Sequence, residues 1–261
     1  MTTIQEGYAF DNHSVHATEQ HRCLAAAYDP TTLARLERTG VGPGWRCLEV
    51  GAGGGSVAHW LADRGASVVA TDVKPEHVPP AEGLTVLRHD VVHDPLPEAG
   101  FDLVHARLVL LHLPEREQVL RKLVRALKPG GVLQLDEFDL AYGPVLLAAD
   151  PGHAAAYEDF LAAKERMFDA TGADCRWGRR VAASMVAAGL LEVDPVPVVQ
   201  QWNADSPGLH LLVHHTHHLR EKLLAAGATD TGLQTARTAM THPAFRATSC
   251  VFYTVQGRRP A

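Results

Sequence analysis

The chain has 261 residues, 46% hydrophobic and 21% charged, a globular balance that excludes a disordered or fibrous protein and suits one large domain or one domain with an insert. Its 24 basic residues against 30 acidic ones give a net charge of −6 with histidine neutral, which speaks against a nucleic-acid partner, because such binding runs on clustered Lys and Arg. No apolar run approaches the roughly 18 to 20 residues that span a bilayer, so no membrane association is expected.

The N-terminal stretch has neither the basic region nor the apolar segment of a secretory signal. Residues 1–20 are polar and aperiodic and read as an arm or lid, with Tyr8 and Phe10 as aromatic contacts for a substrate. From Thr18 to Thr39 the pattern turns helical, with a break expected at Asp29-Pro30. Residues 1–40 thus form a lid region, and 41–261 the core.

Strand and helix patterns then alternate. Arg46 to Val50 is a short buried strand running into glycines, and Val57 to Arg64 a helix closed by Gly65. Ser67 to Thr71 is a second strand ending at Asp72, Leu84 to Arg88 a third ending at Asp90, and Phe101 to Leu108 a fourth. Pro114 opens a helix that runs to about Leu127, and Gly131 to Asp136 is a fifth strand. This alternation predicts a parallel sheet covered on both faces.

Residues 141–190 read mostly as helices, and 208–240 are helical again, so inserts at about 141–178 and 208–240 are expected to form a pocket. Val193 to Trp202 is a strand that Pro195 and Pro197 push towards an edge or bulge. Thr248 to Val255 is the last strand. The cysteines at 23, 47, 175 and 250 make no CxxC pair, so neither a metal knuckle nor a disulfide framework is expected, and a cytoplasmic location fits.

The most informative stretch is Glu49-Val50-Gly51-Ala52-Gly53-Gly54-Gly55. A strand that feeds a glycine turn and then a helix places a ligand at the carboxyl end of the sheet. The nicotinamide fingerprint G-x-G-x-x-G fails, because Ser56 stands at its third glycine. The pattern E-x-G-x-G-x-G is met in full, and an acid before the glycines suits a cationic ligand better than a pyrophosphate. Asp72, 19 residues after Gly53, can accept two ribose hydroxyls. Asp90 can meet an adenine amino group.

In these segments the chain resembles the class I S-adenosylmethionine-dependent methyltransferases. CLEVGAGGG resembles their first motif, ATD the acid of their second strand and HDV their third-strand motif, while FDLVHARLVLLHLPE and RALKPGGVLQLDEF resemble their fourth and fifth strands. The resemblance implies an α/β, Rossmann-like, mostly parallel seven-stranded sheet whose last strand is antiparallel, with helices on both faces and helical inserts over the active site. It implies S-adenosylmethionine as cofactor. Gly51 and Gly53 would approach its methionine part with Glu49 oriented towards it, Asp72 would hold the ribose with Val73 beside the adenine, Asp90 and Val91 would flank the adenine, and the carbonyl of Arg107 would meet the ammonium.

Methyl transfer from an activated donor needs proximity, orientation and exclusion of water, and a base when the acceptor is a hydroxyl. His112, after the fourth strand, resembles the base histidine of small-molecule O-methyltransferases, although Leu113 and Pro114 replace the partners found there. Glu137 could orient an acceptor or steady His112, and His105 reads as a core histidine. In the run from His210 to His218, histidines four apart could chelate, yet no acid within the run completes a metal site and none is expected. Trp202, His214 and His215 are expected to touch a small organic acceptor, methylated on oxygen first, on carbon or nitrogen next. The competing reading is a relative that keeps the cofactor for a non-methylating reaction, such as a pericyclase or decarboxylase, or as a binding module.

Overall fold

A computed structural model of the chain describes residues 17–261. Helix α1 (Ala17–Glu37) is followed by β1 (Arg46–Val50), α2 (Ser56–Asp63), β2 (Ser67–Asp72), β3 (Leu84–Arg88) and β4 (Phe101–Arg107). A single turn of 3-10 helix at Leu110–His112 leads to α3 (Arg116–Ala126) and β5 (Leu127–Asp139). Then come β6 (Val145–Leu147), α4 (Pro151–Asp169), α5 (Val181–Ala187), β7 (Leu191–Val198) and β8 (Gln201–Trp202). The chain closes with α6 (Pro207–His218), α7 (Arg220–Ala225), α8 (Asp230–Met240), β9 (Arg246–Thr248) and β10 (Val251–Arg258).

Seven strands form one sheet in the order β3-β2-β1-β4-β5-β10-β7. β1, β2, β3, β4 and β5 pair in parallel, and β10 is antiparallel to both β5 and β7. The expected fold is therefore the observed one. Its parallel strands are buried because apolar layers cover both faces: Leu48, Val104, Leu120 and Leu123 meet on one side, and Leu36, Val57, Leu61, Val68 and Leu103 on the other.

Two local expectations are corrected, and a third, the mostly helical 141–190 region, gains a short strand. α1 does not break at Pro30, which lies inside the helix. Bonds to the sheet hold the helix on both sides of the proline: Asp29 accepts from Arg107 Nη1 at 2.7 Å, and Thr32 Oγ1 donates to Asp136 at 2.6 Å. Further along, Arg35 pairs with Asp194 at 2.9 Å. The 141–190 region is not wholly helical, because β6 joins β9 and β8 in a second, three-stranded antiparallel sheet. The segment from Val193 to Trp202 is two strands, β7 at the edge of the large sheet and β8 in the small one. The chain changes sheet at Gln200, which is locked to Ser249 where the neighbouring chain makes the same change: Ser249 N–H donates to Gln200 O, and Gln200 N–H to Ser249 Oγ, both at 2.8 Å.

The small sheet and α4, α6, α7 and α8 share a third apolar core around Tyr157, Phe160, Leu209, Leu233 and Phe245. Tyr28 of α1 and Phe252 of β10 belong to that core as well, so this cap is continuous with the sheet beneath it. Among the described residues no helix is long and apolar enough to cross a membrane.

Candidate functional site

The carboxyl ends of β1, β2 and β4 open into a cavity of about 740 Å³ that runs on beneath the cap. At its sheet end the chain turns back on itself after β1 with Gly51 at φ 66° and Gly53 at φ 55°, in the left-handed region that favours glycine. A Cβ on Gly51 would collide with Val109 Cγ2. Asp72 crosses to this turn: its Oδ2 accepts the Gly53 N–H at 2.9 Å and its Oδ1 the Lys74 N–H at 2.9 Å. A carboxylate oxygen accepts two hydrogen bonds, so each retains a lone pair for a ribose hydroxyl. Asp90 is similarly braced, its Oδ1 accepting the Val92 N–H at 2.9 Å. This donor and acceptor set, with a turn that admits no side chain, fits an adenosyl group.

Beneath the glycine turn lies a buried charge relay of three residues. His105 Nδ1 meets Glu49 Oε2 at 2.6 Å, and its Nε2 meets Asp136 Oδ2 at 3.2 Å. Burial disfavours a charged ring, but the Glu49 and Asp136 carboxylates prevail and push His105 up to about 9. Two carboxylates then share one imidazolium, leaving net negative charge under the turn, a complement to a cationic ligand. The expected core histidine is thus part of the electrostatic floor, and Glu49 lines the cavity while bonded to it.

α1 forms a wall of the same compartment. His21 packs against the turn, its Cβ 3.0 Å from where a Cβ on Gly54 would stand, and its ring lies 5.4 Å from that of His77. Burial, then the His77 charge, lowers its pKa against the opposing pull of Asp72.

The other end of the cavity lies under the cap. His112 is partly buried beside Phe168, with ring centroids 5.5 Å apart. Burial, then the charges of Lys164 and Arg116, push its pKa down to about 3. His215 is buried on α6 and shifted well down for the same first cause, with Lys164 again contributing. Lys164 of α4 is 8% exposed and lines this end, near Trp202 and Cys250. Burial lowers its pKa to about 8.

Of the residues expected from sequence, Glu49, Gly51, Gly53, Asp72, Val73, Asp90, Val91, Arg107, His112, Trp202 and His215 line this cavity together. The Arg107 side chain is turned to Asp29. Glu137 is not among the lining residues: it is buried behind the 3-10 turn, where its Oε1 accepts the Leu110 N–H at 2.8 Å. Burial raises its pKa to about 8 against the pull of these amides. It anchors the turn that carries His112. His214 faces away from the cavity, 3.5 Å from Glu19 on α1, because adjacent helical residues point about 100° apart and α6 turns His215 inward. Tyr8 and Phe10, with residues 1–16 of the expected lid region, lie outside the described residues. Sequence reasoning missed His21, Tyr28, Lys164, Phe168 and Cys250.

The histidine run of α6 does not converge, since His210 Nε2 bonds the Ala204 carbonyl at 2.9 Å. Among the described residues, Glu19, Cys23 and His214 bring ligand atoms within 4.8 Å of one another, but Arg22 Nε already occupies Glu19 at 2.8 Å.

Residues 48–135 match the methyltransferase domain family. The chain is 35% identical over 123 residues to the methyltransferase GfsG of Streptomyces halstedii, covering 43% of this chain and 44% of that protein. It is 33% identical over 138 residues to the methyltransferase str2 of Strobilurus tenacellus, covering 51% and 49%. The matches span about half the length of these curated relatives. Among solved structures, the fold is similar to that of a Haemonchus contortus phosphoethanolamine N-methyltransferase in complex with S-adenosyl-L-methionine, with a TM-score of 0.62 and 12% identity over 100% of this chain and 61% of that one.

Proposed function

We propose that this chain, whose residues 48–135 match the methyltransferase domain family, transfers a methyl group from S-adenosylmethionine to a small organic acceptor, with oxygen as the first candidate atom. The observation that carries this reading is the single cavity joining the glycine turn and strand-end acids to the enclosed pocket under the cap.

When bound, S-adenosylmethionine supplies an electrophilic methyl group on a sulfonium. The residues of the chain divide the remaining work. Asp72 accepts the ribose hydroxyls, and Val73, Asp90 and Val91 border the adenine. Gly51, Gly53 and the Arg107 carbonyl receive the methionine end over the negative floor of Glu49, His105 and Asp136. Trp202, Phe168 and His215 enclose the acceptor and exclude water. His112 stays neutral at pH 7 and accepts a hydrogen bond from the acceptor, which orients it. The Glu137 carboxyl holds the His112 turn in place.

The test is calorimetric titration of S-adenosylmethionine, followed by detection of S-adenosylhomocysteine with candidate acceptors. Asp72→Ala is expected to weaken cofactor binding by about 1.5–3 kcal/mol, the worth of charge-assisted hydrogen bonds. Unchanged affinity in that variant counts against the assignment. Firm cofactor binding with no S-adenosylhomocysteine formed from any acceptor turns the reading towards a non-methylating use of the cofactor.

A further inference from the structure

Lys164 has no evident purpose in the fold. It sits on the inward stripe of α4, among Tyr157, Phe160, Met167 and Phe168, all buried in the cap. Its ammonium lies 5.7 Å from the centroid of the Phe168 ring, and among the described residues no carboxylate pairs with it. An ammonium removed from water without a partner destabilises a fold, and such residues mark sites where a ligand completes the pairing.

The groups that share this end of the cavity cannot neutralise it. Cys250 is a half-buried cysteine whose thiol is pushed up to about 12 by burial. Tyr28 is buried and also shifted upward. His112 and His215 are neutral rings whose pKa values Lys164 itself helps to lower. Of the buried acids at the end of β5, Glu137 is turned to the amides of Leu110 and Leu111 and Asp139 to Arg179. The pocket under the cap is therefore a largely apolar enclosure with one positive charge.

We propose that the acceptor carries a carboxylate and that Lys164 is the residue that selects it, by pairing with that group inside the pocket. The inference rests on the reading of this cavity as the methyl-transfer site and narrows it to acidic acceptors. A carboxylate is favoured over a phenol or enol because it is already ionised at neutral pH, so the pair forms without moving a proton. Phe168 and Trp202 line the same cavity and suit a planar apolar body.

The experiment uses a matched pair of probes, naphthoate and naphthamide, which share size and shape and differ in charge. Each is titrated into the full chain in saturating S-adenosylhomocysteine. In the wild type, naphthoate is expected to bind roughly tenfold or more tighter than naphthamide, the range of a charge-assisted hydrogen bond. Lys164→Met should abolish that preference while leaving naphthamide affinity unchanged, and Lys164→Arg should retain most of it. Thermal melting adds an independent reading: removing an unpaired buried charge should raise the Tm of Lys164→Met, whereas loss of a merely structural lysine lowers it. Equal preference in wild type and Lys164→Met, or no preference for the anion in the wild type, overturns the proposal. If Lys164→Met does not fold, Lys164→Gln is read in the same way. S-adenosylhomocysteine is titrated separately. Failure there sinks the cofactor reading, whereas a wild type that shows no carboxylate preference yet binds S-adenosylhomocysteine sinks only this inference.

Discussion

At the scale of single residues, the two ends of the cavity impose opposite demands. Gly51 has no room to grow: its φ of 66° disfavours any side chain, and the first atom of one would strike Val109. Gly51→Ala is therefore expected to lose about 1–3 kcal/mol of stability and most cofactor affinity, checked by denaturant melts beside calorimetry. At the far end, His112 is held neutral by enclosure, with its pKa down at about 3. A rate that depended on ionisation of an ordinary imidazole would bend near pH 6.5. The expectation here is a pH–kcat profile with no such bend from His112. His112→Ala should still lower kcat, by about 10²-fold, with cofactor affinity intact, because the acceptor loses its hydrogen-bond partner. A variant with full kcat per folded molecule removes His112 from the reaction.

At the scale of elements, the 3-10 turn after β4 depends on β5 for its position. Glu137 collects the Leu110 and Leu111 amides, and a Glu137→Ala variant strands both. The expected cost is about 1–3 kcal/mol, or a Tm lower by roughly 3–10 °C, with kcat reduced more than cofactor affinity. Equal losses in both would make Glu137 a general support of the sheet. The contrast between the two compartments explains what could be read from the chain. Glu49, the glycine turn, Asp72 and Asp90 all fall at strand ends within one run of alternating elements, so local pattern alone located them. The end under the cap is assembled from α1, the turn after β4, α4, α6 and the residue before β10, and no local pattern joins Tyr28, Lys164, His215 and Cys250. One signal was present: a lysine at 164 in step with Tyr157, Phe160 and Phe168 breaks an apolar helical stripe. The Pro30 break was misjudged for a related reason, since the bonds that carry α1 through the proline come from β4 and β5, distant in sequence.

At the scale of the whole molecule, the buried ionisable groups set a pH optimum for stability. His105 is raised from 6.5 to about 9, so the folded chain keeps a proton that the unfolded chain releases. Its contribution is complete below pH 6.5 and is lost as pH rises through about 9. Glu137, raised from 4.5 to about 8, acts in the same direction over the window between those values. His112 acts in reverse: depressed to about 3, it costs stability as pH falls from 6.5, where the unfolded ring takes up a proton. Thermal melts across pH 5 to 9 should therefore show Tm highest at about pH 6 to 7 and falling towards pH 8, and a Tm still climbing at pH 8 contradicts the His105 assignment. The large sheet ends at β7, where Pro195 and Pro197 stand opposite Val255 and Tyr253 of β10. The ladder runs past both prolines, so the N–H groups they lack belong to the open side. An incoming strand would find donors missing at alternate positions along that edge. That border of the sheet is thereby closed to extension by another chain, a built-in resistance to fibre growth.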